Sequence, residues 1–206
     1  MPTSKRFWDK QAARYDAKMV KASNYAKRLE RLDAWIEDSG VVLDVGCASG
    51  ELTLDVAPHV GQIHGIDVSP RMIELATAKA KERGIGNAHF SAVEPADSSL
   101  ADASFDAITA FSVFHLFEDV PGMLLRLRDL LRPGGVLITE TPCLGSWNPG
   151  WRILVKLAVL VRMAPFVRVL TVAELESMIT DAGFDVVESK VYNPKSRMQC
   201  IMARKR

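Results

Sequence analysis

The chain has 206 residues, and its 26 Lys plus Arg against 25 Asp plus Glu leave a formal net charge of +1, a balance that offers no overall field to draw in nucleic acid. With 48% apolar residues, a chain of this length buries about 70% of its unfolded surface without disulfides or structural metals, and is expected to fold as one domain, 1–206. Cys47, Cys143 and Cys200 are odd in number, widely separated and without a C-x-x-C pair, and residues 1–10 contain no apolar signal core, so a reducing, cytoplasmic setting is expected.

Taken in chain order, two helical patterns cover 4–18 and 23–37. An apolar strand at 41–45 runs into Gly46-Cys47-Ala48-Ser49-Gly50, and Glu51 to Leu54 opens a helix over 50–58. A second strand at 62–67 ends on Asp67, 21 residues after Gly46. Ser69-Pro70 supplies an N-cap and a first helical position for a helix over 70–83, which Gly84 stops. Strands follow at 88–93, 105–110 and 135–140, with a helix at 119–131 between the last two. This alternation specifies a parallel sheet with helices on both faces. The segment 141–170 interrupts it. From Cys143 to Val172 there is no acid, while Arg152, Lys156, Arg162 and Arg168 punctuate Trp147, Trp151 and an apolar run. The basic residues and Pro165 break that run well short of the roughly 20 residues a bilayer requires. A helix at 151–163 then has three readings: a packed lid, the wall of a hydrophobic substrate pocket, or a face resting on an anionic membrane through 147–170. After Gly183, patterns at 184–191 and 197–203 around a turn at 193–196 read as an antiparallel pair closing the sheet.

The first turn carries the functional signal. Small residues let a backbone approach a ligand, and an acid about 20 residues past the first glycine can accept both hydroxyl protons of a ribose. A dinucleotide loop carries G-x-G-x-x-G and presents a bare helix N-terminus to a pyrophosphate. Here the loop is G-x-x-x-G, and Asp44 and Glu51 place carboxylates where a phosphate would be repelled. A phosphate-free nucleoside with positive charge, S-adenosylmethionine, fits that lining, with S-adenosylhomocysteine as product.

At these residues the chain resembles the class I S-adenosylmethionine-dependent methyltransferases, in particular the small-molecule branch that includes ubiquinone and menaquinone methyltransferases. Residues 42–50 are similar to its glycine-rich motif and 65–72 to its second motif. Ser104-Phe105-Asp106, Leu131-Arg132-Pro133-Gly134-Gly135 and Ala182-Gly183-Phe184 resemble three later signatures. Two positions depart from the pattern. Ala48 replaces a usual glycine, which is acceptable where φ is negative, and Val93-Glu94-Pro95-Ala96-Asp97 replaces a usual Asp-Ala. The resemblance implies a Rossmann-like α/β fold with a seven-stranded, mostly parallel sheet, a C-terminal antiparallel strand, an N-terminal helical cap over 1–38 and a lid at 141–170.

It also implies site roles. Asp44 lies near the methionine ammonium, Gly46, Cys47, Ala48, Ser49 and Gly50 along the backbone approach, and Asp67 on the ribose. Val68 and Met72 lie against the adenine, whose amino group is read by Glu94, beside Pro95, or by Asp97. Phe111 and Ser112 border the sulfonium. In the cap, Trp8 is expected to anchor by apolar burial, and Tyr15 either to do the same or to reach the methionine end of the cofactor or the substrate. Methyl transfer is an in-line displacement that depends chiefly on positioning. A hydroxyl acceptor still gains from a base, for which His115 is the candidate; as a lone histidine between Phe114 and Leu116 it equally suits packing. Glu140, Trp147 and Trp151 are candidate acceptor contacts. No cluster has metal-ligand spacing, so no metal is expected. The expected activity is methylation of a small apolar acceptor, quinone-, phenol- or lipid-like, with no nucleic-acid partner. The alternatives are a non-catalytic adenosyl-binding or membrane-docking protein of the same fold, and an NAD-linked oxidoreductase.

Overall fold

A computed structural model describes residues 5–12, 32, 35–36, 40–146, 166–191 and 198–206. Residues 5–12 are helical. Seven strands form one sheet: β1 (Val41–Val45), β2 (Gln62–Ile66), β3 (Ala88–Ser91), β4 (Phe105–Phe111), β5 (Leu131–Pro142), β6 (Phe184–Val191) and β7 (Met198–Lys205). The helices between them are α1 (Glu51–Val56), α2 (Pro70–Glu82), α3 (Val120–Leu130) and α4 (Val172–Asp181). The sheet order is β3-β2-β1-β4-β5-β7-β6, and β7 runs antiparallel to both its neighbours while the first five strands are parallel. The sheet is the one the sequence implies.

Strand alternation divides the core between the two faces. Leu43 and Val45 of β1 pack with Val120, Leu124 and Leu127 of α3 and with Leu175 and Ile179 of α4. Val42 points the other way, with Leu54 of α1, Ala80 of α2 and the isolated residues Leu32 and Ile36. Asp44 shares the face of Val42, which turns its carboxylate toward α1.

Two boundaries differ from expectation. β5 begins at Leu131 rather than at 135, because Leu131 already pairs with Phe105 before a bulge resets the register at Ala107–Val136. The Asp106 carboxylate secures that corner: Oδ2 accepts from the Val41 N–H at 2.7 Å, and the Arg132 guanidinium donates to both oxygens at 2.6 Å. Helix α4 stands where no helix was assigned, started by a capping box. Thr171 Oγ1 accepts from Glu174 N–H at 3.2 Å, and Glu174 Oε2 accepts from Thr171 N–H at 2.8 Å. The lid helix at 151–163, the first cap helix beyond residue 12, nearly all of the second and the 193–196 turn lie outside the described residues.

The sheet order reverses between β1 and β4. In an open α/β sheet the crevice at such a switch point, beyond the carboxyl ends of the strands, is where ligands bind.

Candidate functional site

A cavity of about 210 Å³ opens at that crevice. The turn after β1 shapes its floor. Gly46 N–H and Cys47 N–H both donate to Ile66 O, at 2.8 and 3.0 Å, locking the turn onto the end of β2. Gly46 adopts φ +73° and lines the cavity, and a Cβ there would meet Val113 Cγ2 at 3.0 Å. Gly50, at φ +78°, has a different duty. It faces Ala76 of α2, 2.8 Å from where its Cβ would stand, so its smallness serves helix packing. Ala48 lines the cavity in the left-handed region at φ +49°, a correction to the expectation that alanine is tolerated there because φ is negative. What holds it is its own N–H, which donates to Asp67 Oδ2 at 3.2 Å.

Asp67 is the electrostatic centre. Its Oδ1 accepts from Ser69 N–H at 2.9 Å, so two backbone donors fix the carboxylate at the cavity wall. Burial pushes its pKa up to about 6; the two N–H donors oppose that, and Asp44 and Asp9 add to it. Glu94, Glu118 and Asp119 also line the cavity, and no Lys, Arg or His does among the described residues. A wall with four carboxylates and no cation suits a positively charged ligand lacking phosphate. Burial likewise raises the Cys47 thiol, with Asp44 and Asp67 adding to the effect, so it stays protonated and unreactive.

Of the residues assigned to the cofactor, Gly46, Ala48, Asp67, Val68, Met72, Glu94, Pro95, Phe111 and Ser112 line this cavity. Asp44, Cys47, Ser49, Gly50 and Asp97 do not. Asp44 lies beneath the loop, buried, accepting from Thr53 Oγ1 at 2.6 Å and Thr109 Oγ1 at 2.8 Å, so it braces β1 against α1 and β4. Asp97 closes its own turn by accepting from Ser99 N–H at 2.9 Å. Glu51 pairs with Lys79 at 2.7 Å and with Arg83, joining α1 to α2. Burial alone would raise its pKa; the two cations bring it below the usual carboxylate range.

His115 sits in the turn after β4, between lining residues Val113 and Leu116, without lining the cavity itself. Its Nδ1 is buried and has no hydrogen-bond partner among the described residues. Burial lowers its pKa to about 4, so the ring is neutral at physiological pH. Glu140 is buried at the end of β5, level with Cys200 of β7, and does not line the cavity. Tyr15, Trp147 and Trp151 lie outside the described residues.

Several wall residues carried no assignment. Trp8, expected to be an anchor, lines the cavity, and its neighbour Asp9 accepts from Ser69 Oγ at 2.5 Å, docking residues 5–12 onto the start of α2. Leu116, Phe117 and Met123 complete an apolar side. Leu116 and Phe117 belong to the turn that follows the fourth strand, and Met123 to the first turns of α3. Among the described residues no group of three or more His, Cys, Asp or Glu is placed to hold a metal, and no helix is long and apolar enough to cross a membrane.

Comparison with known proteins gives a match between residues 36–183 and the model of a family described as a methyltransferase domain. Nocamycin O-methyltransferase of Saccharothrix syringae is 37% identical over 152 residues, which cover 69% of this chain and 54% of that protein. A ubiquinone biosynthesis O-methyltransferase of Xanthomonas axonopodis pv. citri (strain 306) is 33% identical over 116 residues, 55% of this chain and 48% of that one. The chain thus spans about half the length of these curated relatives. Among solved structures, YcgJ from Bacillus subtilis superposes with a TM-score of 0.73 at 18% identity, covering 89% of this chain and 98% of that one.

Proposed function

The chain belongs to the methyltransferase domain family, and on that premise we propose that it binds S-adenosylmethionine in this cavity and methylates a hydroxyl on a small, apolar, quinone-, phenol- or lipid-like acceptor. The observation that carries the reading is Asp67: a fixed, half-buried carboxylate at the end of β2, in a wall that has no cation among the described residues, 21 residues beyond a glycine turn whose first member stands at φ +73° with Val113 Cγ2 3.0 Å from where its Cβ would lie. That set fits a cationic ribonucleoside and disfavours the pyrophosphate of NAD.

In this reading Asp67 accepts the ribose hydroxyls, Val68, Met72 and Pro95 hold the adenine, and Glu94 reads its amino group. Gly46 admits the methionine portion over the turn, and Phe111 and Ser112 border the sulfonium. The bound cofactor supplies an activated methyl group, so no protein nucleophile is needed. Trp8, Phe111, Leu116 and Phe117 exclude water from the side the acceptor approaches, and raise the proportion of near-attack geometries. His115 carries a neutral ring, but its Nδ1 is buried and the residue does not line the cavity, so this geometry gives it no contact with an acceptor and makes it a packing residue of the turn after β4. The names of the two O-methyltransferase relatives support a hydroxyl acceptor, and the apolar wall supports a hydrophobic one.

The test is incubation with methyl-labelled donor and a panel of quinols, phenols, amines, thiols and lipids. Label is expected on hydroxyl-bearing apolar members. Donor binding without transfer to any member would favour a non-catalytic adenosyl-binding protein.

A further inference from the structure

The connection between β3 and β4, residues 92–104, contains no helix or strand, yet it supplies Val93, Glu94 and Pro95 to the cavity wall. Within it, hydrogen bonds from Asp97 N–H to Glu94 O at 2.9 Å and from Leu100 N–H to Asp97 O at 3.2 Å form local turns. These turns shape the loop, and its last residues are tied to the end of α3 by Ala103 N–H to Asp129 O and Ser104 N–H to Leu130 O, both at 2.9 Å, which leaves the stretch from Val93 to Asp102 to be placed by side-chain contacts.

Arg126 of α3 reaches the loop at three points. Its Nε donates to Pro95 O at 3.0 Å, its Nη2 donates to Leu100 O at 2.7 Å, and its Nη1 pairs with the Asp102 carboxylate. One planar guanidinium therefore spans the loop from its cavity end to its far end. Met123, three residues earlier and so on the same side of α3, lines the cavity itself. We propose that Arg126 is the positioning residue for the adenine side of the site: it holds the 93–95 wall, which lines the cavity together with Met72 and Met123, and thereby sets cofactor affinity without touching the cofactor. This rests on the reading that the cavity takes S-adenosylmethionine.

The physical reason lies in preorganisation. A loop held by a rigid five-donor fork has little freedom left to lose when a ligand enters, whereas a loop released at Pro95 and Leu100 must be ordered by the ligand at the expense of affinity. Lysine has a single ammonium on a flexible stem and can satisfy one of the two carbonyls, so it restores part of the effect.

The test compares wild type, Arg126→Ala and Arg126→Lys by calorimetric titration with S-adenosylhomocysteine, together with amide hydrogen exchange. Arg126→Ala is expected to weaken binding by about tenfold and to speed exchange across 96–102, with the amides of α3 and the sheet unchanged. Arg126→Lys is expected to fall between. Affinity within twofold of wild type in Arg126→Ala would overturn the proposal, and so would faster exchange spread over α3 and the sheet, which marks general destabilisation. If the wild type itself does not bind S-adenosylhomocysteine, the cofactor reading fails, while exchange at 96–102 still decides whether Arg126 holds the loop.

Discussion

Asp67 ties the pH behaviour of the site to a single residue. In the proposed role its carboxylate must be ionised to accept two ribose hydroxyls, and its pKa stands near 6. Affinity for S-adenosylhomocysteine is therefore expected to be flat above pH 7 and to fall about tenfold by pH 5, as protonation withdraws the acceptor; pH-independent binding would dissociate Asp67 from the ribose. Asp67→Ala is expected to cost about 1.5 to 3 kcal/mol of binding through loss of charge-assisted contacts. His115 behaves differently, because its base form is already populated at any pH well above 4. Because His115 does not line the cavity, its replacement by Ala is expected to leave methyl transfer within a few-fold of wild type with donor affinity unchanged, and a loss of about a hundredfold or more would instead assign it the role of base. Ala48 is the strained position of the turn, at φ +49°. Left-handed alanine costs about 1 to 2 kcal/mol, and part of that is offset by the extra freedom glycine gives the unfolded chain. Ala48→Gly is thus expected to raise unfolding stability by about 0.5 to 1 kcal/mol in a urea titration.

At the level of elements, the strands and helices that border the cavity were legible because their signals are local. An apolar run ending in Gly46 marks β1, the run closing on Asp67 marks β2, and Ser69-Pro70 marks the start of α2, where Ser69 Oγ indeed accepts from Met72 N–H at 3.2 Å. The beginning of β5 was missed because Pro133 and Gly134 read as a turn, and only pairing with Phe105, a contact remote in sequence, draws Leu131 into the strand. Helix α4 was legible in principle, since Thr171-Val-Ala-Glu174 has capping-box spacing. Thr171→Ala is expected to lower stability by about 1 kcal/mol, measured by thermal unfolding; no change would mean that packing of Leu175 and Ile179 alone fixes the helix. The cavity wall was half legible. Residues on the glycine turn and β2 follow from motif spacing, whereas Leu116, Phe117, Met123 and Trp8 come together only through the tertiary placement of the turn after β4, α3 and residues 5–12.

Across the whole molecule, the cavity opens at the switch point between β1 and β4, and in the proposed reading the acids gathered there select the ligand. The same burial that raises the Asp67 pKa makes the site a stored cost. A carboxyl whose folded pKa lies above its ordinary 3.8 favours the fold at low pH, and that contribution is lost as pH rises through 6. A ligand that satisfies the ionised carboxylate should therefore stabilise the protein more at pH 7 than at pH 5. The most direct test of the account is calorimetric titration of the protein with S-adenosylmethionine, S-adenosylhomocysteine and NAD at neutral pH. Micromolar binding of the two adenosyl ligands with no response to NAD is the predicted result; binding of NAD, or silence from both adenosyl ligands, would contradict it.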